Sequence, residues 1–356
     1  MTSTNHDKLL DEIAEGDLEK VKEELLNHSP TPDLLQRILE HTVKNDQATI
    51  LTYLLQTHPE ANENKDFSNL LLMAAQLGYD EIVKVLLLDP KIDVNKTKGS
   101  GLTPLFIACQ KGHLEVVKQL IKDDRVEPNK AKESGETPFF IACQQGNIEI
   151  VRELLHANTI NWNSCNNTST TPFFIACQEG KAEVVKELLK YPEIDFNLAT
   201  SNGHTPFSIA CSKGFVDVIK ELLPNQNIDV NKGNKHNTTP FLVAARTGNE
   251  KVFKRLLIEP RVDINKPSDD GITPLIAASF SGHFGLVTLL LKSGRELNTR
   301  ALWDGKNAID IALQQGFHHT AKEIEGYESN GFIFFSFLLF FFLFFFFFFF
   351  FFISSF

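Results

Sequence analysis

The stretch TPLFIACQKGHLEVV occupies residues 103–117, and versions of it recur along the chain every 34 residues. The Thr-Pro pair that opens the stretch begins at Thr103, Thr137, Thr171, Thr205, Thr239 and Thr273. A glycine nine residues after each threonine keeps the same interval and extends it by one repeat in each direction, at Gly78, Gly112, Gly146, Gly180, Gly214, Gly248, Gly282 and Gly316. A fixed period of this length is the signature of a repeat architecture.

Each repeat carries the signals of two short helices. The hydroxyl of Thr103 can cap a helix, Pro104 suits the first helical position, where a missing N–H is no loss, and Gly112 suits the end. Apolar residues then follow at spacings of three and four, as in an amphipathic second helix: Leu114, Val117, Leu120 and Ile121. A polar stretch such as residues 95–101 suits a projecting hairpin-like loop before the next Thr-Pro pair.

Repeats of this size must stack, because 34 residues bury too little apolar surface to fold alone. We therefore predict an all-α solenoid of stacked helix-turn-helix repeats with projecting hairpin-like loops. Eight repeats are in strict phase, and two less regular ones precede them, with Asp46 near the glycine position of the second.

The ends of the array are predicted to differ from its middle. The last repeat places Asp310, His318 and Thr320 where inner repeats have apolar residues, as a capping repeat does. The predicted boundaries are residues 1–68 for irregular N-terminal repeats and cap, 69–306 for regular repeats, 307–326 for a C-terminal cap, 327–331 for a linker and 332–353 for a Phe-rich segment.

The quoted stretch, with Asp93-Val94-Asn95 before it, resembles the ankyrin repeat. The resemblance covers nearly all of residues 7–326, because the Thr-Pro pair, the glycine followed by His or Asn, the Val-Val-Lys helix and the Asp-x-Asn motif recur in phase. The period departs from the usual 33 residues by one. The histidine usual after Thr-Pro-Leu is replaced by apolar residues or serine, at Phe106, Phe140, Phe174, Ser208 and Leu242, and we expect the phenylalanines to fill the slot between repeats.

This resemblance implies a concave surface, formed by loop tips and first helices, that binds folded partner proteins. The positions that match the variable surface of the first helices are Gln110, Lys111, Gln144, Gln145, Gln178, Glu179, Ser212, Lys213, Arg246, Thr247, Phe280 and Ser281. Loop-tip candidates are Ser100, Leu102, Ser134, Glu136, Asn202, His204, His236, Asp270, Ile272, Trp303 and Asp304. The alternative is that these polar residues are only the solvated face of the array.

Phe280 and Trp303 stand out among these candidates, because aromatic residues dominate the energetics of protein interfaces. Their positions in the repeat register predict that they lie close together. Trp303 has a second interpretation, in which it covers the C-terminal cap.

Composition and motifs narrow the function. The chain has 35 Lys and Arg against 45 Asp and Glu, and this net charge of −10 argues against nucleic acid or an anionic membrane as the main partner. Four cysteines recur at the repeat interval, too far apart for disulfides, and are predicted to be small buried packing residues: Cys109, Cys143, Cys177 and Cys211. No phosphate-binding glycine motif and no Cys-x-x-Cys pair occurs, so we predict no cofactor, no metal and no enzymatic activity.

The predicted function is a non-enzymatic scaffold or adaptor that binds protein partners as a monomeric array. A regulatory or structural subunit of an enzyme complex is the alternative. The first thirty residues are heavily charged and lack an apolar core of a secretory signal, so we expect the repeats in the cytosol.

The Phe-rich segment has two interpretations. Residues 332–353 comprise 22 positions of Phe, Leu and Ile with Ser336 as the one polar exception, which is long enough to cross a bilayer as a tail anchor. Residues 344–352 are all phenylalanine, however, and phenylalanine is encoded by TTT. A thymine-rich tract translated past the true end of a gene would have the same appearance.

Overall fold

The computed structural model describes residues 3–27, 30–58, 67–157 and 159–329. The regular secondary structure of these residues is helical, and their β-pairing is limited to the isolated bridges Lys98–Leu102 and Trp303–Lys306. The predicted all-α class is therefore confirmed. The Phe-rich segment lies outside the described residues, and within them no helix combines the length and apolar character needed to cross a membrane.

The described residues form two compact bodies, which divide between Asp195 and Phe196. The helices of the N-terminal body are α1 Ser3–Glu15, α2 Leu18–Asn27, α3 Pro32–Lys44, α4 Ala48–Thr57, α5 Ser68–Leu77, α6 Asp80–Leu87, α7 Pro104–Lys111, α8 Leu114–Ile121, α9 Pro138–Gln145, α10 Ile148–His156, α11 Pro172–Gln178 and α12 Ala182–Leu188. Odd-numbered helices pack on odd-numbered neighbours and even-numbered helices on even-numbered ones, so first and second helices form two layers.

The C-terminal body repeats this arrangement. Its helices are α13 Pro206–Lys213, α14 Val216–Leu222, α15 Pro240–Thr247, α16 Glu250–Leu257, α17 Pro274–Phe280, α18 Phe284–Leu291 and α19 Ala308–Gln314, followed by α20 at residues 318–329. The first helices α13, α15, α17 and α19 pack in that order. Thr320, which we expected to contribute polar surface to a cap, is instead buried in α20, as are Ala321 and Ile324.

The predicted helix starts and stops are confirmed. Thr103 Oγ1 accepts a hydrogen bond from Phe106 N at 3.2 Å, and the other five Thr-Pro threonines make the same cap. All eight phase-keeping glycines have φ between 69° and 86°, a region that only glycine enters without strain. Asp46 has a φ of 55°, so it takes the same left-handed conformation at the glycine position of the second irregular repeat.

The core consists of equivalent side chains from successive repeats. A phenylalanine at the second position of a first helix is almost fully buried in four repeats, at Phe139, Phe173, Phe207 and Phe241. The four periodic cysteines are buried beside them, as predicted. Phe106, Phe140 and Phe174 are buried at the usual histidine position, as expected of residues that fill the slot between repeats. Ser208 takes this position with polar chemistry, because it and Thr205 cap each other's backbone N–H groups.

A ladder of asparagines joins the loops of successive repeats. In the C-terminal body, Asn231 Nδ2 donates to Arg261 O at 2.6 Å, and Asn231 Oδ1 accepts from Asp263 N at 2.8 Å. In both bodies, the asparagine that ends each Asp-x-Asn motif or its variant makes the same two hydrogen bonds to the next repeat. These asparagines are Asn95, Asn129, Asn163, Asn197, Asn231 and Asn265. One amide thus satisfies two backbone groups of the neighbouring loop.

Three arginines stabilise the ends of second helices. Arg125 donates to the carbonyl oxygens of Leu87 and Asp89, in the repeat before its own. Arg261 and Arg295 make equivalent bonds to carbonyl groups at the C-terminal ends of α14 and α16 and in the loops that follow them. The last carbonyls of a helix lack an N–H partner within it, so the guanidinium groups both cap the helices and join neighbouring repeats.

Candidate functional site

The exposed residues at the C-terminal ends of the first helices form a row in each body, called here the first-helix row. In the N-terminal body this row contains Gln110 and Lys111 on α7, Gln144 and Gln145 on α9, and Gln178 and Glu179 at the end of α11. All are exposed or half-exposed. Four of the six are neutral amides, so this row presents hydrogen-bonding groups and little charge.

The row of the C-terminal body is different in character. It contains Ser212 and Lys213 on α13, Arg246 and Thr247 on α15, and Phe280 with Ser281 at the end of α17. It carries two cations and an exposed aromatic ring, and it contains no carboxylate. Because α13, α15 and α17 pack side by side, these residues follow one another at the spacing of neighbouring helices, about 8–10 Å.

Phe280 and Trp303 are in direct contact, as their register predicted. Their ring centroids lie 5.5 Å apart and their planes meet at 76°, an edge-to-face arrangement. Phe280 is 44% exposed, whereas the other residues of α17 are buried. Trp303 is half-exposed and lies against Phe280, so a large apolar surface remains accessible on this row.

A tight hairpin holds Trp303 in this position. Trp303 and Lys306 exchange backbone hydrogen bonds of 2.9 and 3.0 Å. Asp304 and Gly305 between them have φ values of 52° and 72°, as expected for the Asp-Gly pair of a two-residue hairpin of type I′. The indole is therefore presented by a closed turn, and little conformational freedom is left for a ligand to remove.

Gln314 and Lys306, which lie next to the C-terminal row, were not among the predicted site residues. Gln314, 34 residues after Phe280, is exposed on α19, and Lys306 Nζ donates to its Oε1 at 2.9 Å. The repeat interval was a sufficient signal for Gln314, but its residues had been assigned to the cap. Gln314 and Lys306 extend the row of the C-terminal body by one helix.

The loop tips are joined edge to edge within each body. Glu133 N donates to Ser100 O at 2.9 Å and Asn167 N to Ser134 O at 3.1 Å in the N-terminal body. In the C-terminal body, Asp269 N donates to His236 O at 3.1 Å. The predicted loop-tip residues are exposed or half-exposed on this edge, and Glu136 is partly engaged by Ser134 and Lys132.

The described cysteines and histidines lie outside the two rows. Burial raises the pKa of Cys109 well above its usual range, so this thiol is not a nucleophile at neutral pH. Within the described parts of the chain, no group of three His, Cys, Asp or Glu side chains is arranged to hold a metal ion. The adjacent His318 and His319 are both exposed.

Comparison with protein families gives one result. A family model for ankyrin repeats, in three copies, matches residues 71–166, 105–200, 156–234, 173–268, 209–301 and 241–326. These matches together cover residues 71–326, well over half of the 356 residues. Comparison with curated proteins gave no match.

Proposed function

Because this chain belongs to the ankyrin-repeat family, we propose that it is a scaffold or adaptor that binds a partner protein through its first-helix rows and loop tips. Ankyrin repeats generally mediate protein–protein interaction, and proteins built from them are typically non-enzymatic modules. The observation that supports a binding role for these particular residues is Phe280. It leaves 44% of its surface exposed on a helix whose other residues are buried.

The row residues are available for a partner because the fold does not need them. Stacking uses the buried phenylalanines and cysteines, and the joints between repeats use the asparagine ladder and the three arginines. The row side chains point away from both sets of contacts, as their exposure indicates. Residues that contribute neither to the core nor to the joints are free to vary with the partner.

Site-specific photo-crosslinking in cells tests this proposal. A photoreactive amino acid is placed at Gln144 in the N-terminal row, at Thr247 in the C-terminal row, and at two exposed second-helix positions, Glu149 and Lys251. We expect discrete covalent adducts from a row position and none from the second-helix positions. Equal adducts from all four positions, or none from either row, would contradict a binding role for the rows.

We also propose that the repeats face the cytosol and that residues 332–353 tether them to a membrane. The length and apolar character of this segment support the tether. An N-terminally tagged chain and a version that stops at Asn330 are compared after an alkaline carbonate wash of cell membranes. We expect the full-length chain in the pellet and the shortened chain in the supernatant. Release of both chains into the supernatant would contradict the tether and support an adaptor without a membrane anchor.

A further inference from the structure

Among the residues that the structure describes, no ion pair neutralises the positive charge of the C-terminal row. The ion pairs of the C-terminal body lie on second helices and their loops: Lys220 with Asp217, Lys254 with Glu250, and Arg261 with Glu259. Lys213 and Arg246 take part in none of these pairs, and both are exposed. The chain as a whole has a net charge of −10, so two cations without an ion-pair partner near an exposed aromatic contact are a distinct local feature.

The order of groups along this row is also defined. Lys213 lies on α13, Arg246 on α15 and Phe280 on α17, so the two cations lie two and one helix spacings from the aromatic contact. On the other side of Phe280, Lys306 lies over Gln314 of α19. An extended chain advances about 3.3 Å per residue, so crossing one helix spacing takes about three residues.

Exposed carboxylates lie at two loop tips beside this row, whereas the carboxylates that begin α14 and α16, Asp217 and Glu250, are paired with Lys220 and Lys254. Asp269 and Asp270 are exposed on one loop and Asp304 on the next, at the turn that presents Trp303. An acidic ligand would be repelled at this edge and attracted over the helix ends, where Lys213 and Arg246 lie. The loop-tip carboxylates therefore favour a negatively charged segment that lies over the helix ends, next to Arg246 and Lys213.

We propose that the C-terminal row binds an extended acidic segment of the partner protein, with one aromatic or aliphatic side chain against Phe280 and Trp303. Carboxylates about three and six residues to one side of this anchor face Arg246 and Lys213. This inference rests on the proposed binding function and specifies the chemistry of the partner. The aromatic pair supplies most of the affinity, and the cations supply orientation and discrimination against basic segments.

A random peptide library displayed on phage tests the inference, with the full-length chain immobilised through an N-terminal tag in mild detergent. We expect enriched sequences to be acidic and to contain one aromatic or aliphatic anchor at the stated spacing. Enriched peptides are then synthesised and their affinities measured by fluorescence anisotropy. Enrichment of basic or anchor-free sequences, or of no sequence, would overturn the inference.

Matched variants locate the binding. We expect Phe280→Ser and Arg246→Glu each to weaken the binding of an enriched peptide at least tenfold, a typical loss at an interface hot spot. Arg246→Lys should retain most of the affinity. Phe284→Ser and Lys251→Glu are the controls, because Phe284 is exposed to the same degree as Phe280, at 45%, and both lie outside the row. We expect less than a twofold change from either. Equal losses from the controls would refute a site on the row.

The photo-crosslinking experiment separates this inference from the function on which it rests. Adducts from Thr247 together with enriched peptides that lack acidic residues would support the binding function and reject the acidic segment. Adducts from Gln144 alone would support the binding function but assign the partner to the N-terminal row. Absence of adducts from both rows would reject the two proposals together.

Discussion

Replacing Phe241 with alanine is expected to lower the free energy of unfolding of the C-terminal body by about 3–5 kcal/mol. Phe241 is only 1% exposed, and its ring stacks on that of Phe253 with centroids 4.7 Å apart and planes 22° apart. The substitution removes a buried aromatic side chain, leaves a cavity between α15 and α16, and breaks an aromatic pair worth about 0.5–1.5 kcal/mol. The surrounding core residues are themselves buried and packed, so they can relax into that space only in part.

Urea unfolding followed by Trp303 fluorescence measures this loss. The chain has two tryptophans, so the comparison is made in a Trp162→Phe background, in which the remaining indole reports on the C-terminal body. Phe284→Ala is the matched control, because the same side chain is removed from a site that is 45% exposed. We expect the control to lose less than about 1 kcal/mol. Similar losses from the two variants would mean that Phe241 is not a core residue.

Replacing Asn231 with aspartate is expected to destabilise the C-terminal body by about 2–3 kcal/mol at pH 7. The amide donates to Arg261 O at 2.6 Å and accepts from Asp263 N at 2.8 Å. A carboxylate keeps the acceptor but places a negative oxygen against the carbonyl oxygen of Arg261. The lost hydrogen bond and the new repulsion add, and both act at a joint between two repeats.

The pH dependence of this variant identifies the cause. The folded state favours the protonated form of the new carboxyl, which can again donate to Arg261 O, so its folded pKa is raised above the unfolded value. The destabilisation is therefore complete at neutral pH and is partly relieved as the pH falls towards about 4. Asn231→Ala removes both bonds without a charge, and we expect a loss of about 1–2 kcal/mol relative to wild type at either pH.

Asn225→Asp is the control for this experiment. Asn225 Oδ1 accepts a hydrogen bond from Asn227 N at 2.9 Å, within its own loop, and a carboxylate preserves that bond. The same chemical change should therefore alter stability by less than about 0.5 kcal/mol. If Asn231→Asp matched Asn231→Ala at pH 7 and recovered nothing in acid, the amide would not be joining the repeats as described.

The candidate site was partly predictable. The repeat register located the first-helix rows and placed Phe280 near Trp303, because equivalent positions of stacked repeats are neighbours whatever their side chains are. It did not predict the edge-to-face contact or the hairpin that fixes the indole, since both depend on the conformation of one loop. Lys306 was missed for the same reason, because its partner Gln314 is reached only when that loop folds over α19.

The sequence by itself determined the period, the helix starts at Thr-Pro, the glycine stops and the buried face of each helix. These features depend on interactions within a few residues: a hydroxyl that accepts from an N–H three residues on, a φ that glycine alone takes easily, and apolar spacing along one helix. Tertiary structure alone decided which groups the polar residues of the loops bond to. The recurring Asp-x-Asn motif marks Asn231 in the sequence, but the partners of Asn231 and Arg261 lie 30–38 residues away and come within reach only when the repeats stack.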